Sequence, residues 1–326
     1  MPECGTIVAR PAPFWRRFRL AFFLLLACAL GTGAAFADKA QAAPRAITPL
    51  PDGWRFYQGD PQGAESPALD DSGWRPVSVP HDWAIAGPFD KDAKAAGENG
   101  FLPSGVAWYR RALALAPTPG RRYFLEFDGI MERSGVWVNG HHVGYRPMGY
   151  VSLRYDITRH LRADGRNIIA VRADTSAAPS SRWYSGAGIY RHVRLIETGD
   201  VHIPQGGAFV HASAIDGDRA TIAVATDISN AAATAAEVTV DLVLTDPQGR
   251  QVAHRSAPVA LVDAGRTRTV ALDVPLTQLR RWDLDDPALY RATIRLLADD
   301  GAVLDDRQVR FGVRDARFEA ATGFWL

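Results

Sequence analysis

The chain is poor in cysteine. Its only two, Cys4 and Cys28, fall within the first 28 of 326 residues. The remainder can form no disulfide and offers no thiol nucleophile or cysteine-ligated metal site. It is equally poor in net charge, with 37 basic residues against 36 acidic ones. Once Arg10, Arg16, Arg17, Arg19 and Glu3, which precede Asp38, are set aside, 33 basic residues face 35 acidic ones. No basic field, zinc-finger spacing or recognition-helix pattern is present, which excludes nucleic acid as a partner. Beyond Leu50 no ten-residue stretch keeps a helical period with caps. A Gly-x-Ser-x-Gly elbow is missing, so a serine–histidine–aspartate hydrolase has no support.

What the first residues do contain is an export pattern. "WRRFRL" is a positive region, "AFFLLLACAL" an apolar one, and Ala35–Ala37 a small-x-small cleavage site before Asp38. The apolar run is too short for a membrane span. Residues 1–37 are therefore expected to be a signal peptide and the chain to be exported, periplasmic or extracellular. Two variants stay open: lipoprotein anchoring at Cys28 in "LLAC", and twin-arginine export from "RRFRL".

From Leu50 onward strands and turns dominate. "RRYFLEFDGI", "SGVWVNGHHVGY", "NIIAVRAD" and "HVRLIE" alternate or run apolar and are broken by Asp-Gly and Asn-Gly. Asn139-Gly140 is a hairpin signal, because both residues tolerate positive φ. Near Asp200 the texture changes from Trp-, Tyr- and Gly-rich to Ala-, Val-, Thr- and Asp-rich. About seven strands then follow in some 110 residues, the density of an immunoglobulin-like sandwich. Asp300-Gly301 marks another hairpin, and "RRWDLDDPALY" an irregular corner. The expected architecture is all-β: a jelly-roll sandwich over residues 50–199, after a linker at 38–49, and an immunoglobulin-like sandwich over 200–312.

Chemistry concentrates in "SRWYSGAGIYR", Ser181–Arg191. The Arg182 guanidinium can donate paired hydrogen bonds to vicinal hydroxyls or a carboxylate. The Trp183 indole can cover the apolar face of a sugar ring. A packed corner, with Gly186 and Gly188 permitting a tight turn, explains the same residues, and packing is the reading for Tyr184. In "VPHDW", Asp82 can accept from sugar hydroxyls, cap its own loop or pair with an arginine. Trp108, Tyr109 and Arg110 read as core and strand. Arg154 reads as a buried cation satisfied by Tyr155 and Asp156. His141 and His142 are adjacent on a strand and point to opposite faces, which argues against joint metal ligation. The acid pairs Asp128/Glu132, Asp285/Asp286 and Asp299/Asp300 read as strand-end or turn residues that hydrogen-bond backbone.

"VPHDWAIAGPFD", "GFLPSGVAWYRR", "FDGIMERSGVWVNGHHVGYRPMGYVSLRYDIT" and "SRWYSGAGIYRHV", in this order over Val79–Val193, resemble the sugar-binding domain of glycoside hydrolase family 2, β-galactosidase type. The following segment resembles that family's immunoglobulin-like domain, and "FGVRDARFEAATGFWL" resembles the approach to its catalytic barrel. β-Glucuronidases and β-mannosidases share this architecture; "PHDWAIAGPFD" and "SRWYSGAGIYR" favour the galactosidase type.

The resemblance implies retaining hydrolysis by two glutamates of a (β/α)8 barrel. Such a barrel takes roughly 250 residues, and retention needs carboxyls about 5 Å apart. Twelve residues follow Arg314. The expectation is a non-catalytic N-terminal part, inactive alone, with residues 313–326 beginning a truncated barrel and no catalytic residue before Leu326. Loops of the first domain, carrying Arg182, Trp183, Asp82 and, where the family has a flexible subsite loop, Asn99, would then meet a β-galactoside or related saccharide. No cofactor is implied in this chain; Mg or Na belongs to the full enzyme, with ligands largely in the barrel. The partner is the missing barrel, and homo-oligomerisation stays open. Two other readings compete. One is a stand-alone carbohydrate-binding module. The other is a degenerate truncated product, which predicts an exposed apolar patch where the barrel would dock.

Overall fold

The computed structural model describes residues 44–94, 96–177 and 183–326. The export pattern of residues 1–37 and Arg182 lie outside them. The described chain is all-β. Its only helices are single 3-10 turns at Ala96–Asn99 and Thr158–His160.

The first half carries strands β1 (Arg45–Pro49), β2 (Trp54–Gln58), β3 (Arg75–Val77), β4 (Val106–Ala114), β5 (Arg121–Phe127), β6 (Ser134–Val138), β7 (His141–Arg146), β8 (Leu153–Asp156), β9 (Arg166–Asp174) and β10 (Val193–Gly199). They form two antiparallel sheets, ordered β1-β10-β5-β8 and β3-β2-β4-β9-β6-β7. Alternation along β5 turns Tyr123, Leu125 and Phe127 inward. They meet Tyr109, Val136, Val138, Ile169 and Val171 from the facing sheet in one core. Asn139-Gly140 makes the β6–β7 hairpin with φ of 52° and 82°, as its composition predicts.

The other face of the larger sheet is covered by the connection 59–74. There Trp108 packs with Ala64, Trp74 and Ala170. Arg110 is buried and explains the shape of that connection. Its guanidinium donates to Asp71 and to the carbonyls of Ala64, Ser66 and Leu69, so a buried charge finds the partners it requires.

Residues 45–49, expected as linker, are strand β1, hydrogen-bonded along β10. A backbone ladder to a neighbouring strand needs no apolar signature of its own, and the first core residue, Leu50, follows directly.

The second half comprises β11 (Val201–His202), β12 (Ala208–Asp216), β13 (Arg219–Asn230), β14 (Ala236–Thr245), β15 (Gln251–Ser256), β16 (Ala260–Val262), β17 (Thr267–Leu276), β18 (Tyr290–Leu297) and β19 (Val303–Phe311). One sheet runs β11-β13-β12 with β17 on β13; the other runs β15-β14-β18-β19 with β16 on β14. Seven strands are long, and the short β11 and β16 add two to the expected number. Their facing residues, Ile222, Val240, Leu242 and Ile294 among them, close a second core that reaches to Val313. In the corner before β18, Asp283 accepts from the N–H groups of Asp285 and Asp286, and Arg280 holds Asp286 at 2.6 Å. After Val313, β20 (Arg317–Glu319) and β21 (Gly323–Trp325) pair as a hairpin. Phe318 and Phe324 are exposed on it.

Candidate functional site

Three loops of the first sandwich converge. One is residues 78–94, following β3. Another follows β7, residues 147–152. The third begins at Trp183 and leads into β10. The third loop is clamped at its middle. Ala187, Gly188 and Ile189 are buried. His81 and Trp83 donate their N–H groups to the carbonyls of Ile189 and Ala187, while Gly188 and Met131 exchange a pair of backbone bonds. Gly188 has φ of 92°, and a Cβ there would run into the Tyr109 hydroxyl. Only glycine fits both demands.

Clamping the middle leaves the front of the loop to project. The Trp183 side chain is 60% exposed, and its Nε1–H donates to the hydroxyl of Tyr150, itself 50% exposed, at 3.3 Å. Tyr190 ties the second loop down by donating to the carbonyl of Gly149. Two aromatic rings are thereby held side by side at the surface by loops anchored beneath them.

The third loop also holds Asp82 through Tyr184, the residue after Trp183. Its Oδ1 accepts from the Tyr184 hydroxyl at 2.6 Å and from the N–H groups of Ala84 and Ala187 at 3.2 Å. Among the described residues nothing donates to Oδ2. Gly186, at φ of 91°, faces that oxygen, and a Cβ there would stand 3.4 Å from it. Burial, then the bond to the Asp82 carboxylate, pushes the Tyr184 hydroxyl pKa up, so Tyr184 stays a donor. Burial, and the Arg75 guanidinium after it, holds the neighbouring His81 below the usual imidazole range. Its Nδ1 lies 2.9 Å from the Tyr109 hydroxyl.

Of the residues singled out in the sequence, Asp82 is bound by Tyr184, the chain neighbour of Trp183, while the Trp183 side chain meets Tyr150. Asn99 is buried in its 3-10 turn, and its amide donates to the carbonyl of Leu102. Tyr184 packs against the first core as expected, but its bond to Asp82, 102 residues away, was not legible. Tyr150 was missed as well. No local pattern marks it, since its partner is 33 residues distant.

The expected Arg154–Tyr155–Asp156 network is not formed. Residues 154 and 156 share one face of β8 and 155 the other. Arg154 pairs with Glu126, directly opposite it on β5, at 2.5 Å, and Asp156 pairs with Arg122. Tyr155 turns toward the core, its hydroxyl buried without a partner among the described residues.

The acids that stand close in sequence are engaged elsewhere. Asp128 receives both Nη groups of Arg194 at 2.7 and 2.8 Å, and Glu132 pairs with Arg133. His141 stacks on His160 while His142 meets Trp137. Among the described residues no group of three or more His, Cys, Asp or Glu side chains could hold a metal ion.

The described chain is thus two β-sandwiches, the first carrying an aromatic, carboxylate-bearing loop cluster at its surface. Comparison with known families assigns it. Residues 68–199 match the family model "Glycosyl hydrolases family 2, sugar binding domain", and residues 201–314 match "Glycosyl hydrolases family 2". The chain belongs to glycosyl hydrolases family 2. It is 37% identical over 286 residues to Beta-galactosidase BoGH2A of Bacteroides ovatus, covering 87% of this chain and 33% of that protein. It is 27% identical to a beta-glucuronidase of Formosa agariphila, covering 84% of this chain and 30% of the relative. The structure of a family 2 member from Bacteroides cellulosilyticus superimposes with a TM-score of 0.80 at 31% identity, over 86% of this chain and 36% of the other. The chain thus spans about a third of the length of these relatives.

Proposed function

We propose that this chain is the non-catalytic N-terminal part of an exported β-galactosidase-like hydrolase and that its first sandwich supplies one wall of the sugar subsite. The observation that carries this is the exposed Trp183–Tyr150 pair, with the residue after Trp183, Tyr184, binding Asp82, a carboxylate with Oδ1 fixed by three donors and Oδ2 without one among the described residues. An apolar sugar face against the rings, with a hydroxyl donating to Asp82 Oδ2, is the contact this arrangement supports. Arg182, adjacent to Trp183 in sequence, is proposed as a further hydrogen-bond donor there and Asn99 as a support of the neighbouring loop. Retaining hydrolysis needs a free carboxyl pair. Asp128, Glu132 and Asp286 are each held by an arginine, so the chain by itself is proposed to be inactive. The galactosidase assignment over glucuronidase rests on the 37% identity to the Bacteroides ovatus enzyme.

The test is a titration of the chain with methyl β-galactoside and methyl β-glucuronide, followed by tryptophan fluorescence, alongside a chromogenic galactoside assay. Weak saturable binding that prefers the galactoside, without hydrolysis, is expected. No binding of either sugar would overturn the subsite reading, and turnover by the chain alone would overturn the non-catalytic one.

A further inference from the structure

The two sandwiches are joined by very little chain. β10 ends at Gly199 and β11 begins at Val201, leaving Asp200 between them. With so short a joint and separate cores, relative motion is the default expectation unless something else fixes the angle.

The edge strand β1 stands at this joint. Its first residue, Arg45, pairs with Thr198 of β10, but its side chain reaches into the second sandwich. Nε donates to Asp305 Oδ1 at 2.9 Å and Nη2 to Oδ2 at 2.6 Å, a bidentate fork. Nη2 also donates to the carbonyl of Ile203 at 2.7 Å. Asp305 Oδ2 accepts the N–H of the same Ile203 at 2.7 Å. One guanidinium and one carboxylate therefore grip both polar groups of the residue just past the joint. The two side chains are 5% and 0% exposed, so each charge depends on the other. Neither belongs to either apolar core. A second contact is aromatic: Phe124 of β5 meets His202 with ring centroids 5.4 Å apart.

We infer that strand Arg45–Pro49 is an inter-sandwich strap, and that the Arg45–Asp305 pair is the lock that fixes the second sandwich against the first. The strap lies ahead of the family-matched residues 68–199. Loss of Arg45, by substitution or by trimming just after it, would free the joint while leaving both cores whole.

The test uses the full chain with Cys4→Ser and Cys28→Ser and one spin label in each sandwich, at exposed Thr118 and Gln248. Pulsed electron resonance then reads the distance between them. The unaltered strap should give one narrow distribution. Arg45→Met and Asp305→Asn should each widen it about twofold, as for domains released to move, and Arg45→Lys, which keeps the charge but loses the fork, should fall between. Arg280→Met, which breaks the exposed pair with Asp286, should leave the width unchanged. Distributions as narrow in Arg45→Met and Asp305→Asn as in the parent would overturn the proposal, and so would equal widening by Arg280→Met. Should Arg45→Met fail to fold, Asp305→Asn and Arg45→Lys decide by the same criterion.

Discussion

The two sandwiches have the same fold class and opposite economies of sequence. In the second, packing accounts for the central strands. β13 and β14 alternate buried and open along almost their whole length, and the loops that join them are turns. Both halves use glycines at positive φ and aspartates that cap their own loops, such as Gly188 and Asp82 in the first and Gly249 and Asp246 in the second. The first alone adds an exposed tryptophan–tyrosine pair, Trp183 and Tyr150; in the second, Trp282 is half-buried and Tyr290 buried. What the first half holds beyond a sandwich is the loop cluster around Trp183, and that difference is what the proposed sugar-facing role rests on.

The sharpest way to break this contrast is Gly188→Ala. It forces a Cβ into the Tyr109 hydroxyl from a left-handed backbone. Strain and overpacking together should cost on the order of 4 kcal/mol and abolish sugar binding, read by denaturant unfolding and fluorescence titration. Leu242→Ala, fully buried in the second core, should cost about 3 kcal/mol yet leave sugar binding unchanged. A loss of binding there would erase the distinction between the halves. Tyr184→Phe removes one charge-assisted donor from Asp82. It should lower stability by about 1 kcal/mol and weaken galactoside binding several-fold, because the carboxylate keeps only its two longer backbone bonds, from Ala84 and Ala187.

Acid should act on both halves alike. Burial holds His81 and His202 below the usual imidazole value of 6.5, and His160 shifts the same way. The unfolded chain then binds more protons than the folded one, so stability is full above about pH 6.5 and falls as pH drops below it. Unfolding midpoints at pH 7 and pH 5 check this, and His81→Gln should flatten part of the slope. Smallest in stability is Trp183→Ala, at under about 0.5 kcal/mol because the ring is mostly exposed, with sugar affinity lost.

The same contrast governs what could be read in advance. Strand alternation, the Asn139-Gly140 turn and the change of texture near Asp200 are local signals, so the all-β architecture was legible. The candidate site was legible only in part. Trp183 and Asp82 are marked by residue type, but the Trp183–Tyr150 and Asp82–Tyr184 bonds join residues 33 and 102 apart. Strand β1 escaped for a similar reason. Its support comes from β10 and from Asp305, 260 residues away, and a five-residue segment shows none of that. The reading of Arg154 failed because it looked to neighbours in sequence, where register across β5 and β8 supplied the partner.

The most direct measurement is a nitrogen–proton correlation spectrum of the tryptophan indoles during titration with methyl β-galactoside. The chain has nine tryptophans, each with one indole N–H. If the first sandwich walls a sugar subsite, the Trp183 signal moves saturably while Trp282, in the corner of the second sandwich, stays fixed. A stationary Trp183, or a shift centred on Trp282, would contradict that role.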